Sequence, residues 1–287
     1  MAHPVQEQVL PKGTSALGLA ALIASLSVLF AGTLAGFWII RAQAEGWADG
    51  LPGLPVLCLL STATLVCLSW FAQGAVTYSV DSPLAAAKKL RITLALGVLF
   101  LVSQGFAWEE WMADGLPPTA PKMYGFLFYF LTALHGLHVV GGLVYSVIVL
   151  QKTKIGTATE EQTQNQAWYW HFLGVVWIVL YATFYVGSFS SLNASNISTG
   201  FLAMAAVSWG VCTVFWVIAL TRIVQARKVF QFVVGLFMPM AFAFACVHAE
   251  KYRMKRFIIP WFLAFAVFLF CVSIGMAVLG ITQTRFL

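Results

Sequence analysis

Charge is what this chain lacks most. Only 9% of its 287 residues are Asp, Glu, Lys or Arg, against about 25% in soluble domains. With 61% hydrophobic residues, that scarcity excludes a soluble globular domain and points to a polytopic membrane protein. Alternating segments of about ten residues are also absent, which excludes a membrane β-barrel. The apolar runs are long and unbroken instead. Cysteine offers little chemistry. Cys58, Cys67, Cys212, Cys246 and Cys271 all fall within apolar runs and form no CxxC pair, so neither a disulfide framework nor a thiolate metal centre is indicated. Residues 1–14 hold one basic residue, Lys12, and no small-residue cleavage site, so the first apolar run is expected to remain as a helix. The net charge of +6 is concentrated in short linkers, which fits orientation in a bilayer better than nucleic-acid binding.

Eight apolar runs are present, at about 16–40, 55–79, 92–112, 124–150, 168–189, 201–221, 229–248 and 258–281. Their lengths match the roughly 20 residues of a bilayer crossing. The predicted fold class is therefore all-α, an integral membrane bundle of about eight helices. Lys88, Lys89 and Arg91 precede the third run, Lys152 and Lys154 follow the fourth, and Arg222, Arg227 and Lys228 follow the sixth. If every run crosses, these basic groups share one side. The excess of basic residues on cytoplasmic loops makes that side, and the N-terminus, cytoplasmic. Glu45, Asp49, Glu109, Glu110 and Asp114 fall on the other side, where Trp47, Trp108 and Trp111 are expected at the membrane interface. The segment 248–257, with Lys251, Arg253, Lys255 and Arg256, breaks this pattern.

The most informative stretch is 124–151, YGFLFYFLTALHGLHVVGGLVYSVIVLQ. His135 and His138 are three apart and share a helix face. Gly136, Gly141 and Gly142 let another backbone or ring approach closely. A polar stripe inside a membrane span is expected to face protein, because an unpaired polar group in hydrocarbon costs several kcal/mol. The fifth run opens Trp168-Tyr169-Trp170-His171 and continues through Trp177, Tyr181 and Tyr185, whose four-residue steps are expected to make an aromatic stripe on one face. Imidazoles on neighbouring helices invite a metal or haem reading. No carboxylate or cysteine joins them at ligand spacing, which favours hydrogen bonding across the bundle or contact with lipid headgroups. Gln104, deep in the third run, is expected to bond between helices. Asn193–Ser195 and Asn196–Ser198 match N-x-S, a motif frequent by chance.

Taken together, these residues resemble a family. Thr132, with His135-Gly136-Leu137-His138-Val139, resembles the T-G-x-H-G-x-H-V signature of cytochrome c oxidase subunit III and its quinol-oxidase counterpart. Trp168-Tyr169-Trp170-His171-Phe172 with Val175-Val176-Trp177 resembles the next signature. Leu96-Gly97, Phe100-Leu101 and Gln104 resemble the helix before, and Ile23-Ala24-Ser25 through Arg41 the first. The resemblance covers about residues 16–190 and implies a five-helix bundle over 1–195, with 196–287 as a helical extension similar to a fused subunit IV. It implies a non-catalytic accessory subunit of a haem–copper terminal oxidase in an aerobic respiratory chain, in a bacterial inner membrane. Its partners would be subunit I, subunit II and membrane lipids. Haem and copper would reside in those subunits and none in this chain, while phospholipid would be held in an interhelical cleft. The residues implied for packing or lipid contact are Arg41, Gln104, His135, Gly136, His138, Gly142, Trp168, Tyr169, Trp170, His171 and Trp177. Three acids of the family pattern are replaced, by Leu26, Ala107 and Gly174, so no proton-uptake role is expected from those positions. A subunit III-like protein of nitric oxide reductase has similar residues. A histidine-ligated membrane cytochrome and a transporter are readings from other classes. A transporter would show internal repeats, and none is visible.

Overall fold

The computed structural model describes residues 14–44, 47, 50–189, 192–225 and 255–284. These form helices α1 (Thr14–Gln43), α2 (Val56–Tyr78), α3 (Pro83–Ala113), α4 (Met123–Lys154), α5 (Glu160–Gly187), α6 (Ala194–Gln225) and α7 (Lys255–Thr284). No strand occurs among the described residues. Helices α1 to α6 are each long and apolar enough to cross a membrane. The run at 229–248, His248, Cys246, Arg227 and Lys228 lie outside the described residues, as do Lys251 and Arg253.

The starts of α3 and α5 are set by local signals, not by where hydrophobicity begins. The basic stretch before the third apolar run is helical: α3 starts at Pro83, at a position where its missing N–H costs nothing. Helix α5 starts eight residues before its apolar run. There Thr159 and Gln162 form a reciprocal cap, with Gln162 N–H donating to Thr159 Oγ1 and Thr159 N–H to Gln162 Oε1. Asn193 accepts from the Asn196 N–H at 2.8 Å, so the first N-x-S asparagine caps the start of α6.

The chain divides into two compact units. The first holds residues 1–37 and 45–190, and the second holds Trp38–Ala44 and 191–287. In the first unit α2 packs on α3 and α5, and α4 packs on α3 and α5, so α2 to α5 close a four-helix ring. The inner seams show a regular spacing. On α3 the buried series is Ala86, Leu90, Thr93, Gly97, Phe100, Gln104, Ala107 and Trp111. On α4 it is Phe128, Thr132, His135, Val139, Gly142, Ser146, Val149 and Thr153. Alternating steps of three and four make a seven-residue repeat, the period that keeps one seam facing its neighbours in left-handed bundles. Helices α2 and α5 keep the same steps. The seam is not the most apolar face. It carries hydroxyls, an amide and an imidazole, while Leu137, Val140 and Val144 point outward. In lipid, association rests on packing and hydrogen bonds instead of hydrophobicity, so this inversion is expected.

Ala75, Ala87, Leu90, Val149 and Leu150 seal one end of the ring. The end of α2, the start of α3 and the end of α4 thus lie together, with Lys88, Lys89, Arg91, Lys152 and Lys154 near them. Rings seal the other end: Trp111 lies 4.1 Å from Phe128, and Phe37 packs edge-on to Trp47, Tyr124 and Phe184. Trp47 and Trp111 differ from the sequence expectation of interface anchors. Both are buried, and their indole N–H groups donate to Gly187 O and Gly53 O. In the second unit α6 packs on α7. Ser208 donates to Ala264 O at 2.6 Å, Gly275 lies against Leu202, and Trp38 meets Phe201 edge-on at 5.3 Å.

Candidate functional site: the histidine–glycine seam and the α1 cleft

The first unit brings most of the singled-out residues into one seam. His135 is fully buried on α4, with Phe30, Phe100 and Trp177 around it at 6.2, 5.5 and 5.3 Å between ring centroids. Neither of its ring nitrogens has a hydrogen-bond partner among the described residues. Trp177 is anchored from α5 by donating to Thr62 Oγ1 on α2 at 3.0 Å. Gln104 donates from α3 to Ser61 Oγ on α2 at 2.7 Å, and Ser61 and Ser103 share a further bond of 2.7 Å. The amide therefore joins helices, as expected from its depth in an apolar run.

The next layer toward the basic end is built on a missing side chain. A Cβ added at Gly142 would stand 3.0 Å from both Tyr169 and Trp170, so glycine lets the two signature rings lie flat on α4. Ser146, one turn on, is the hub beneath them. It accepts from Trp170 Nε1 at 2.9 Å and Gln166 Nε2 at 3.0 Å, and donates to Gly142 O. Tyr169 reaches back to donate to His138 O at 3.0 Å. This explains the Trp-Tyr-Trp-His order. Tyr169 and Trp170 are buried on the ring, and Trp168 is 45% exposed. His171 turns the other way, with Nε2 3.0 Å from Gln73 Oε1 on α2. The later aromatic series does not hold one face. Trp177 is buried and Tyr185 is 52% exposed, because two four-residue steps drift by about 80° on a helix of 3.6 residues per turn.

The three imidazoles do not converge. His138 Nδ1 lies 2.7 Å from Leu134 O of its own helix, His135 faces aromatic rings, and His171 faces α2. Among the described residues no three His, Cys, Asp or Glu side chains stand close enough to hold a metal. The replaced acids are all inside: Leu26, Ala107 and Gly174 are buried, and Gly174 lies against Ser69. No Asp or Glu is buried among the described residues. Arg41 falls in the second unit, buried, with its guanidinium donating to Leu192 O at 2.8 Å.

A cleft of about 330 Å³ opens between α1, α4 and α5, lined by Gly18, Leu19, Leu22, Gly141, Tyr145 and Tyr169, with Ser15 and Asn165 at one end. Asn165 donates to Ser15, and Ser15 to the Glu161 carboxylate at 2.6 Å. One end is thus polar and the body apolar. Nothing in hydropathy marks this cleft. Its only sequence signal is Gly18 with Gly141, small residues that leave space between helices in contact elsewhere along their length.

The family model for cytochrome c oxidase subunit III matches residues 49–189, the stretch that contains the ring and both signatures. A probable cytochrome c oxidase subunit 3 of Nocardia farcinica is 34% identical over 169 residues, 57% of this chain and 83% of the relative. The chain belongs to the cytochrome c oxidase subunit III family. The cytochrome c oxidase subunit 3 of Corynebacterium diphtheriae is 31% identical over 166 residues, 55% of this chain and 80% of its own length. A probable subunit 3 of Mycobacterium tuberculosis is 29% identical over 181 residues, 59% of this chain and 86% of the relative. A subunit III family member with six membrane-length helices is an integral membrane protein and an accessory subunit of an oxidase. Arg41 and the second unit lie outside the stretch that the family model matches.

Proposed function

We propose that this chain is the non-catalytic subunit III of a haem–copper terminal oxidase, in the inner membrane of an aerobic bacterium, with its N-terminus in the cytoplasm. It packs beside subunit I, in a complex with subunit II, and holds phospholipid in the α1 cleft. Haem and copper belong to those partners. The observation that carries the reading is the sealed ring. Its interior is packed with the side chains of Trp170, Trp177, Phe100 and His135. Such a packed body suits holding neighbours and lipids in place. His135, Gly142, Tyr169, Trp170, Trp177 and Gln104 shape the ring. Gly136, His138, Trp168 and His171 stand nearer its outside, where lipid or subunit I is met. Arg41 fixes the turn into α6. The cytoplasmic N-terminus follows from the basic end of the ring. The second unit serves as a subunit IV-like extension.

Function is tested by preparing the oxidase with and without this chain. The initial rate of oxygen consumption should be unchanged, while the active lifetime during turnover falls several-fold and bound phospholipid decreases. An equal lifetime without the chain would reject the stabilising role.

A further inference from the structure

Helix α1 is the least buried of the six membrane-length helices. Within the first unit its side chains meet the ring at three levels. Phe37 packs edge-on to Tyr124 and Phe184 at 6.2 and 5.8 Å. Phe30 packs edge-on to His138 at 5.4 Å, one turn beyond buried Leu26. Ser15, in the first turn, donates to the Glu161 carboxylate at 2.6 Å and accepts from Asn165 Nδ2 at 3.2 Å. No described side chain from Ser15 to Ser25 is buried. That arm of α1, from Ser15 to Leu26, is about 16 Å long at the helical rise. The cleft lies along it, with Gly18, Leu19 and Leu22 on one side and Gly141, Tyr145 and Tyr169 on the other. A Cβ added at Gly18 would meet nothing within 4 Å, so no packing holds the helix there. Hydrogen bonds at Ser15 tie the far end of the arm, while apolar and aromatic packing fixes the rest of α1.

The two sides of this tie differ. On α5 the Thr159–Gln162 cap fixes the first turn, which carries Glu161, and Asn165 is buried. On α1 the tie is made by Ser15, which is exposed. One hydroxyl serves both bonds, accepting through its oxygen and donating its proton, so a single rotation undoes both. A segment with few buried contacts and exposed hydrogen bonds opens locally at low cost. We infer that Ser15, Glu161 and Asn165 form a latch that sets how long a phospholipid stays in the cleft. Closed, the latch holds the α1 arm along the occupant. Open, the arm pivots at the Leu26–Phe30 packing and widens the cleft, with the ring unchanged. This rests on the reading that phospholipid fills the cleft, and adds control of its exchange.

The test follows lipid exchange in the intact oxidase. The complex in phospholipid nanodiscs is given an excess of deuterated phospholipid, and native mass spectrometry follows the replacement of the lipid it keeps. Ser15→Ala should speed replacement about fivefold, the factor that loss of one hydrogen bond of ~1 kcal/mol gives, with the number of bound lipids unchanged. Ser15→Thr keeps the hydroxyl and should keep the slow exchange. Glu161→Ala should act like Ser15→Ala, and Glu161→Gln, whose amide oxygen still accepts, should act less. A spin label attached at Leu17→Cys, a position 72% exposed, reads the arm without reference to lipid and should gain mobility in Ser15→Ala. Gly141→Trp fills the cleft and reads its occupant. If Gly141→Trp leaves the lipid count unchanged, the cleft holds no phospholipid, and the functional reading and the latch fail together. If it lowers the count while Ser15→Ala exchanges lipid at the unaltered rate, or leaves the label at Leu17→Cys no more mobile, the latch alone is overturned.

Discussion

At the residue scale the ring depends on positions where something small or polar meets something large. Gly142 is the clearest. Any side chain there must displace Tyr169 or Trp170 from contact at about 3 Å, and overpacking of that kind costs about 1–3 kcal/mol. Gly142→Leu should therefore lower the temperature at which the subunit leaves the purified complex, whereas Gly136→Ala, with 3.7 Å to Leu101, should change it little. Ser146 acts through hydrogen bonds. Ser146→Ala leaves Trp170 Nε1 and Gln166 Nε2 buried with no acceptor, a loss of about 1–3 kcal/mol. A normal dissociation temperature in that variant would show that the hub is dispensable. The signature residues were legible in the sequence because histidine, glycine and tryptophan are conspicuous inside apolar runs. Ser146 and Gln166, which hold them, were not. A lone hydroxyl in a membrane helix gives no signal until its partners are placed.

At the element scale, the number and approximate position of the described helices could be read from the apolar runs, since each crossing must satisfy its own backbone. Their ends could not. Helices α3 and α5 run on for two turns beyond the apolar segment, stopped by Pro83 and by the Thr159 cap. The inner faces were hidden as well. Hydropathy separates inside from outside only when the outside is water, and here the outward Leu137 is more apolar than the inward His135. The seven-residue seam makes a prediction. Phe100 packs against both His135 and Trp177, so Phe100→Ala should cost about 3–5 kcal/mol. Leu101→Ala, the next residue and about 100° round the helix, on the rim, should cost far less. Thermal release of the subunit from the complex, followed by native electrophoresis, compares the two. Equal losses would mean that the seam is not the structural unit.

At the scale of the whole molecule, two units predict separable behaviour. The chain cut after about residue 195 should still insert and remain with its partners, because the ring and both signatures are complete by then. Disappearance of the shortened chain from the membrane would show that α6 and α7 are integral to it. The absence of a buried acid among the described residues predicts that the pH profile of the initial oxidase rate is the same with and without the subunit. An alkaline fall seen only in its absence would mean that it feeds protons after all.

The central claim is that this chain is an accessory body in an oxidase whose metals lie elsewhere. It is tested most directly by purifying the tagged chain from native membranes, then identifying its partners by mass spectrometry and its metals by optical and elemental analysis. The account predicts a haem–copper catalytic subunit in stoichiometric amount, with all haem and copper following that subunit when the complex is taken apart. Stoichiometric haem or copper remaining on the isolated chain, and lost on substituting His135, His138 or His171, would contradict it.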